Sequence, residues 1–367
     1  MRVEHIVWDI FERAGGGERA SVAIARATSR TCESSLWSVH SGPDEFDRDG
    51  LTVRRIPRLF GTFDNPFPSP LALMRVIQGA DVIHVHQMNT YVLDLVLATR
   101  RKSQAVVVTD YGGGGICLGR FFRFFNQVDA FTSYSVEMNE LSYSGYTNIR
   151  QLPIPMNLPL GVVSVALYEG NAYGLKILCV GRILPHKGFE IAIAALSIGD
   201  HLTIIGHVED ERYFHWLLSL PSDRELYFVH DADDEALVEA YLAADVFVST
   251  SLLSDYEGHL HPKSELLSLV AIEAAWFGLP VIISSVVPAL RSELLSGLVD
   301  GDIYEAGNVS HLRECLNRWR FSRLRNTNSS SIVQEKFGDQ HVAAMYGEFY
   351  ESVTSMRRSG KSRFQEP

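Results

Sequence analysis

The chain has 367 residues, of which 46% are hydrophobic and 21% charged, as in folded globular proteins. This length is long for one hydrophobic core and suits two domains of ordinary size. The formal net charge of −11 disfavours nucleic-acid binding and general binding to anionic membranes. The four cysteines are scattered without a close pair, which predicts neither a disulfide framework nor a zinc site.

Targeting and membrane-spanning patterns are absent from the sequence. A strand pattern begins at residues 3–8 with no signal-peptide pattern before it. No apolar run approaches the roughly 20 residues that a membrane span needs. We therefore expect a reduced, cytoplasmic protein.

The first half of the chain alternates short apolar runs with helical patterns, which predicts parallel α/β layers. Helical patterns lie at Glu18–Thr28 and Leu93–Arg101, and a proline-rich connector at 153–159 closes this half. The predicted strands of the first half are 3–8, 35–39, 52–56, 82–86, 105–109, 129–133 and 148–152.

The same alternation restarts at Lys176 and predicts a second α/β unit. Its strands are predicted at 176–181, 202–205, 226–229, 245–249 and 280–283. The last helical pattern, His341–Met356, follows a polar, serine-rich stretch at 325–331. We predict two Rossmann-like, doubly wound domains, 1–160 and 161–337, facing each other across a cleft. A C-terminal helix within 338–367 is predicted to pack back toward the first domain.

Ligands of open parallel sheets bind beyond the carboxyl ends of the strands. After the strand at 176–181, Gly181 allows a sharp turn, and Arg182 and Lys187 follow in the loop before Gly188. Two such cations could hold a diphosphate through charge-assisted hydrogen bonds. The alternative interpretation is an ordinary surface loop with two solvated cations.

A second motif combines two acids with a helix start. Seven residues separate Glu265 from Glu273, and an apolar run begins a helix between them. The helix then breaks at 278–280 and a buried strand follows. The N–H groups at such a helix start attract anions, and nearby carboxylates can grip sugar hydroxyls. The alternative interpretation is a pair of exposed acids favoured by the helix dipole.

The stretch 264–283 resembles the signature of the family-4 retaining glycosyltransferases, which have the two-domain GT-B fold. Glu257 and Glu265 share the same spacing, but the context 269–274 followed by 277–282 sets the register on Glu265 and Glu273. The resemblance implies that Gly181, Arg182 and Lys187 hold the diphosphate of a nucleotide-sugar donor. It also implies that Glu273 binds the ribose hydroxyls and that Glu265 lies beside the transferred sugar.

Further site residues follow from the same resemblance. The backbone around Ser268, Leu269 and Val270 would meet the donor near its sugar and phosphates. Gly16 and Gly17, in a Gly-Gly-x-Glu-Arg element, would line the junction of donor and acceptor; the glycines alone are typical of a flexible turn. Ser268 stands where members of the family often have glycine.

Two segments of the first half depart from simple expectations. Tyr111 stands at or beside the place where many relatives have a histidine next to the reacting sugar, with Asp110 before it and glycines at 112–115 after it. A phenol cannot replace an imidazole that titrates near neutral pH.

His84 and His86 share one face of a strand, but no third metal ligand with suitable spacing accompanies them. A core or cleft position is therefore favoured over a metal site.

The sequence thus predicts an enzyme that transfers a sugar from a nucleotide diphosphate-sugar to an acceptor hydroxyl with retention of configuration, without metal or other cofactor. The acceptor would be a glycan or a lipid-linked glycan in polysaccharide or glycolipid biosynthesis. The aromatic and basic segment at 119–126 could contact the inner face of the membrane or pack in the core. Two alternatives stay open: a non-catalytic nucleotide-sugar-binding subunit, and a sugar-nucleotide epimerase of the same fold.

Overall fold

A computed structural model describes residues 1–11, 16–88, 90–111, 124–133, 148–156, 158, 174–220, 224–230, 232–261, 265, 267–320 and 327–359. Residues 13–15, the glycines at 112–115, the segment at 119–123 and most of the stretch 155–172 lie outside the described residues. The chain divides into two compact units. The N-terminal unit comprises Met1–Asn157 and Lys336–Pro367, and the C-terminal unit comprises Leu158–Glu335.

The N-terminal unit is built on a sheet in which nine strands are described. The strand order is β3-β4-β2-β1-β6-β7-β8-β9, with β5 also paired to β4. Neighbours pair in parallel except β3 and β5, which run antiparallel to β4. The strands are β1 (Arg2–Val7), β2 (Glu33–His40), β3 (Glu45–Arg48), β4 (Leu51–Gly61), β5 (Pro66–Pro68), β6 (Val82–His86), β7 (Ala105–Thr109), β8 (Ala130–Ser133) and β9 (Ile149–Gln151).

Helices cover this sheet and bury its central strands. They are α1 (Gly16–Thr28), α2 (Pro70–Ile77) and α3 (Tyr91–Thr99). Every residue of β6 and β7 is buried, as expected of strands rich in valine and isoleucine with helices on both faces. The start of α3 is fixed by Thr90, whose hydroxyl accepts a hydrogen bond from the Leu93 N–H.

The C-terminal unit contains an all-parallel sheet with the order β12-β11-β10-β13-β14-β15. This is the strand order of a dinucleotide-binding Rossmann fold, and the order reverses between β10 and β13. The predicted α/β fold with parallel sheets is therefore confirmed. The strands are β10 (Lys176–Val180), β11 (His201–Ile205), β12 (Glu225–Val229), β13 (Val246–Ser249), β14 (Val281–Ser284) and β15 (Gly301–Tyr304).

The helices of the C-terminal unit begin at polar residues that satisfy their first N–H groups. Asp210, Asp233 and Asn308 each accept a hydrogen bond from the backbone three residues on. The helices are α4 (Phe189–Ala195), α5 (Glu211–Ser219), α6 (Asp234–Ala243), α7 (Leu269–Trp276), α8 (Arg291–Leu295) and α9 (Val309–Trp319).

Two further helices follow in the described residues 327–359. The first, α10 (Thr327–Phe337), begins inside the serine-rich stretch for which the sequence had indicated no helix. The second, α11 (Asp339–Ser359), belongs to the N-terminal unit, where Tyr346 and Tyr350 are buried against strand residues such as Val3. The Tyr350 hydroxyl lies 2.7 Å from Nδ1 of His84, so α11 is tied to β6 through a buried hydrogen bond.

Candidate active site

The candidate site of the C-terminal unit lies where its strand order reverses. Strands β10 and β13 are neighbours, so the segments that follow their carboxyl ends meet at one edge of the sheet. The loop beginning at Gly181 follows β10, and Thr250 and Ser251 follow β13. A crevice at such a reversal is the usual ligand position of open α/β sheets.

A short 3₁₀ turn, Pro185–Lys187, fixes the loop after β10. The Thr250 hydroxyl donates a hydrogen bond to the Lys187 carbonyl at 2.7 Å, which joins the two loops. Gly188 ends the turn with φ +63°, and a Cβ added there would lie 2.4 Å from the Thr250 carbonyl oxygen. Only glycine fits this position without displacing the backbone.

Lys187 and Glu265 meet in this site. Nζ of Lys187 lies 2.5 Å from Oε2 of Glu265, and the Ser251 hydroxyl donates to the same oxygen at 3.1 Å. Their side chains are only 17% and 13% exposed, so the pair is largely shielded from water. The structure thus brings together two residues that the sequence assigned separately to diphosphate and sugar.

Arg182 lies at the edge of this arrangement. Its side chain is 55% exposed, with Nη1 3.6 Å from Oε1 of Glu209. It is close enough to act electrostatically on His186. Burial lowers the pKa of His186 to about 4, and the positive charges of Lys187 and Arg182 contribute to that shift. His186 is therefore neutral at physiological pH.

Helix α7 begins four residues after Glu265. Ser268 precedes it in a left-handed conformation (φ +71°, ψ +73°), and the Ser268 hydroxyl is buried without a partner among the described residues. The N–H groups of Leu269 and Val270 belong to the first turn, which lacks intrahelical acceptors. Their positive partial charge favours an anion at this point.

Glu273 lies one turn further along α7 and is 8% exposed. One carboxylate oxygen accepts a hydrogen bond from the Tyr241 hydroxyl at 2.7 Å, and the same hydroxyl lies 3.3 Å from the Val270 carbonyl. Tyr241, on α6, therefore fixes the carboxylate relative to the first turn of α7. This role could not be predicted from the sequence, because an apolar face of α6 also accounts for a tyrosine at this position.

A compact loop, 255–261, borders the Pro185–Lys187 turn. The buried Asp255 carboxylate accepts hydrogen bonds from the N–H groups of Glu257 and His259 and from Nε2 of His261, the last at 2.8 Å. Burial alone would raise the pKa of Asp255, but these hydrogen bonds outweigh it and lower the pKa to about 2. The His261 ring is held 5.2 Å from the His186 ring, measured between centroids.

The remaining predicted site residues belong to the N-terminal unit. A Cβ added to Gly17 would lie 3.2 Å from the Trp8 ring and 3.6 Å from Cβ of Tyr111, so these three residues are in close contact. Nε1 of Trp8 donates to Oε1 of Glu18 at 3.0 Å. Gly16 is exposed at the start of α1. Gln87, at the end of β6, adopts φ +108° and accepts a hydrogen bond from the Tyr111 N–H at 3.4 Å.

The Tyr111 hydroxyl lies 2.8 Å from Nδ1 of His86, within the protein's own hydrogen-bond network. Burial raises the pKa of Tyr111 well above its ordinary value, so the phenol stays protonated at neutral pH. A side chain in this state can orient neighbouring groups but does not act as a titrating base.

His84 and His86 belong to a buried group with a third histidine, His5, from the adjacent strand β1. The sequence spacing indicates no third ligand, but the pairing of β1 with β6 brings His5 beside His84 and His86. The rings of His84 and His86 stack 4.3 Å apart at 25°, and one ring nitrogen of each of the three histidines lies within 4.8 Å of the others, a spacing that a metal ion could bridge. Their ring nitrogens instead bond to neighbours; the partners are Thr28, Thr109, Tyr111, Tyr350 and one another. We call His5, His84 and His86 the histidine cluster.

Comparison with known protein families finds a match to part of the chain. Residues 171–326 match the family model described as Glycosyl transferases group 1. The matched segment contains Arg182, Lys187, Glu265 and Glu273, whereas Gly17 and Tyr111 lie outside it. A search of curated proteins finds no match.

Solved structures resemble the whole chain. Sucrose-phosphate synthase from Thermosynechococcus elongatus matches with a TM-score of 0.71 and 18% identity over 96% of this chain and 99% of that one. HepE from Anabaena, in complex with UDP and glucose, matches with a TM-score of 0.65 and 15% identity over 96% and 100%. The catalytic domain of starch synthase IV from Arabidopsis thaliana, bound to ADP and acarbose, gives 0.66 and 14% over 98% and 99%.

At these identities the likeness concerns the fold, and it confirms the predicted GT-B fold. The segment that matches the family model lies within the C-terminal unit. Among the described residues, no helix is long and apolar enough to cross a membrane.

Proposed function

We propose that the chain is a retaining glycosyltransferase that moves a sugar from a nucleotide diphosphate-sugar to an acceptor hydroxyl. The observation that carries this proposal is the pairing of Lys187 with Glu265 beside the first turn of α7, at the strand-order reversal within the segment that matches the family model. Cation, carboxylate and helix start together match what a sugar diphosphate presents: negative charge next to hydroxyl groups.

The donor would bind with its diphosphate between Lys187, Arg182 and the N–H groups of Leu269 and Val270. Glu273, held by Tyr241, would accept hydrogen bonds from the ribose hydroxyls. Glu265 would lie beside the transferred sugar, where it can also release Lys187 to the phosphates. Positive groups placed at the leaving diphosphate stabilise the charge that develops there, and for this role the protein's own cations suffice without a metal or cofactor.

The reaction would proceed on one face of the sugar. The bond between the anomeric carbon and the diphosphate oxygen breaks, and the acceptor oxygen bonds to that carbon from the same side. The acceptor's proton passes to an oxygen of the leaving diphosphate. This route requires no titrating protein base, which agrees with the protonated state of Tyr111. Gly16, Gly17 and Tyr111 would shape the acceptor side of the site.

The cellular role belongs to the same proposal. A cytoplasmic enzyme of polysaccharide or glycolipid biosynthesis would use a glycan or lipid-linked acceptor. Peripheral contact with the inner face of the cell membrane would bring such an acceptor within reach. The relatives support a nucleotide donor, because one structure holds UDP with glucose and another holds ADP.

One observation favours a second candidate, a non-catalytic nucleotide-sugar-binding subunit. The resemblance places Tyr111 at or beside a position where many members of the family have a histidine next to the reacting sugar, and the Tyr111 hydroxyl lies 2.8 Å from Nδ1 of His86. In that case the C-terminal unit would bind the donor while the reacting centre is missing.

A panel of UDP-, GDP-, ADP- and dTDP-glucose tests these functions. Each donor is incubated with monosaccharides, oligosaccharides or detergent-solubilised lipid-linked glycans, and free nucleoside diphosphate is measured. Release that requires both an acceptor and the enzyme indicates transfer, and the anomeric coupling in the product's NMR spectrum reports retention. Binding without turnover favours the subunit, and interconversion of the donor sugar favours the epimerase. Absence of binding for all donors contradicts the proposal.

A further inference from the structure

Ser268 precedes α7 in a conformation that differs from that of an ordinary helix cap. A capping serine has extended backbone angles, and its hydroxyl accepts a hydrogen bond from an N–H group of the first turn. Ser268 is left-handed instead, with φ +71° and ψ +73°, and its side chain accepts no such hydrogen bond. The hydroxyl is therefore not used to begin the helix.

The Ser268 side chain is also buried with a polar atom that lacks a partner. The residue is 6% exposed, and its hydroxyl forms no hydrogen bond within the part of the chain that the structure describes. A buried hydroxyl without a partner is unfavourable, and so is a left-handed backbone at a residue that has a Cβ. Two unfavourable features at one residue point to a role in binding rather than in folding.

The groups that follow Ser268 are suited to an anion. The N–H groups of Leu269 and Val270 have no acceptor among the described residues, and the first turn of α7 contains no acidic residue. A left-handed residue followed by a helical one directs successive N–H groups toward the same side, and the helix dipole adds positive potential there. An anion held by these two N–H groups lies next to the Ser268 side chain, which is attached to the residue directly before them.

We propose that the Ser268 hydroxyl donates a hydrogen bond to a phosphate oxygen of the nucleotide-sugar, alongside the N–H groups of Leu269 and Val270. The resemblance assigns only the backbone at this position to donor binding, and the glycine that members of the family often have there carries no hydroxyl. Rotation about the Cα–Cβ bond moves the hydroxyl between three staggered positions, so it can turn to a phosphate without a change of the backbone. This inference rests on the proposed function, because it adds a contact to the same donor site.

Two substitutions separate the hydroxyl from the backbone conformation. Ser268→Ala removes the hydroxyl and keeps a Cβ at a left-handed residue, whereas Ser268→Gly also relieves the conformation, because glycine adopts positive φ readily. We expect both variants to bind the nucleotide-sugar about tenfold more weakly than the wild type, near the lower end for a hydrogen bond to a charged group. Ser268→Gly is expected to have a higher thermal midpoint than Ser268→Ala.

Calorimetric titration of the full-length protein measures these affinities. Whichever of UDP-, GDP-, ADP- and dTDP-glucose binds the wild type is titrated into each variant, and so is the corresponding nucleoside diphosphate. A contact with phosphate predicts weaker binding of both ligands, because both carry the two phosphates. A loss confined to the nucleotide-sugar would place the hydroxyl at the sugar and overturn the assignment to phosphate.

Asp49→Gly is the matched control for a change from a left-handed residue to glycine. Asp49 also has positive φ, +53°, but it is exposed between β3 and β4 of the N-terminal unit. Its replacement should leave the affinity for the nucleotide-sugar as in the wild type.

The results separate this inference from the proposed function. If the wild type binds a nucleotide-sugar and both Ser268 variants keep its affinity, the role of the hydroxyl is overturned and the proposed function stands. If the wild type binds none of the four nucleotide-sugars, both fail. If Ser268→Ala does not fold, Ser268→Gly carries the test, because glycine introduces no strain at this position. Weaker binding by Ser268→Gly with a thermal midpoint at or above that of the wild type would show that the loss is not a loss of folding.

Discussion

Nζ of Lys187 and Oε2 of Glu265 lie 2.5 Å apart although 78 positions separate the residues in the chain. The carboxylate holds the ammonium group in place, and Ser251 holds the carboxylate. A diphosphate that binds Lys187 must share this cation with Glu265 or displace the carboxylate. Under the proposed function, the pair would therefore link binding of the phosphates to the position of the Glu265 carboxylate.

Replacing Lys187 is expected to affect donor binding in two ways. Lys187→Ala removes a charge-assisted hydrogen bond and leaves the Glu265 carboxylate facing the phosphates. We expect binding of the nucleotide-sugar about tenfold to a hundredfold weaker. The double variant Lys187→Ala/Glu265→Gln should bind more tightly than Lys187→Ala alone, because the repulsive carboxylate is gone.

Calorimetric titration of the four proteins as a double-mutant cycle measures this coupling. Lys176→Ala, at the opposite end of β10, serves as the control and should bind normally. Additive effects of the two substitutions would show that Glu265 and Lys187 act independently toward the donor.

The contact between Tyr241 and Glu273 predicts that removing the Tyr241 hydroxyl lowers both the stability of the protein and its recognition of the ribose. Tyr241→Phe removes the hydroxyl that donates to a buried carboxylate, and this should lower the free energy of unfolding by about 1–3 kcal/mol. It should also weaken binding of the nucleotide-sugar more than binding of its 2′,3′-dideoxy analogue, because a misplaced Glu273 no longer accepts from both ribose hydroxyls.

Tyr227→Phe provides the matched control for this prediction. Its hydroxyl donates to Glu225, but Tyr227 is 52% exposed, so the same chemical change should leave the free energy of unfolding close to that of the wild type. Urea unfolding measures the stabilities. If Tyr241→Phe weakened binding of the nucleotide-sugar and of the dideoxy analogue equally, the proposed role of Glu273 in binding the ribose would be contradicted.

The strands that position the site could be predicted because their signal is local. The apolar runs at 82–86, 105–109 and 176–180 need no distant partner to be identified, and the structure has strands there. The contact between Lys187 and Glu265 depends on the order in which parallel strands pair, which one sequence does not specify. His5 illustrates the same limit, because it meets His84 only through the register of β1 and β6.

Helix α10 shows why local propensity can mislead. Serine is a poor helix former, because its hydroxyl competes for backbone hydrogen bonds. Here tertiary contacts use those hydroxyls. Ser329 accepts a hydrogen bond from the Asp300 N–H at 3.0 Å, and Ser330 donates to the Trp276 carbonyl. The two serines are buried, and the helix forms because neighbouring segments of the same chain form hydrogen bonds with their hydroxyls.

The histidine cluster predicts sensitivity to mild acid. Burial lowers the pKa of His5 to about 3 and lowers the pKa values of His84 and His86 well below the ordinary range. The folded protein keeps these imidazoles neutral, whereas the unfolded chain binds protons once the pH falls below about 6.5. Stability is therefore fully present above that pH and is lost as the pH falls. Three such groups give a slope of up to about 4 kcal/mol per pH unit.

Urea unfolding of the full-length protein between pH 8 and pH 5 measures this slope. His86→Gln removes one buried imidazole, and its slope below about pH 6 should be smaller by up to about 1.4 kcal/mol per pH unit, whatever its absolute stability. His215→Gln changes a histidine that is 74% exposed and should leave the slope as in the wild type. Equal slopes for His86→Gln and the wild type would show that the cluster is not the source of acid sensitivity.

Gly188 gives the sharpest prediction about how the loop after β10 is built. Gly188→Ala places a methyl group 2.4 Å from the Thr250 carbonyl at a residue with φ +63°. The turn must shift, and the hydrogen bond from Thr250 to Lys187 is expected to break.

Gly258 offers a matched comparison: it also has positive φ, +83°, but an added Cβ meets nothing within 4 Å. Gly258→Ala should cost only the left-handed conformation, about 1–2 kcal/mol. Gly188→Ala should cost more and should also weaken donor binding, because Lys187 moves with the turn. Urea unfolding and donor titration of both variants test this, and equal losses of stability would contradict the close approach of the two loops.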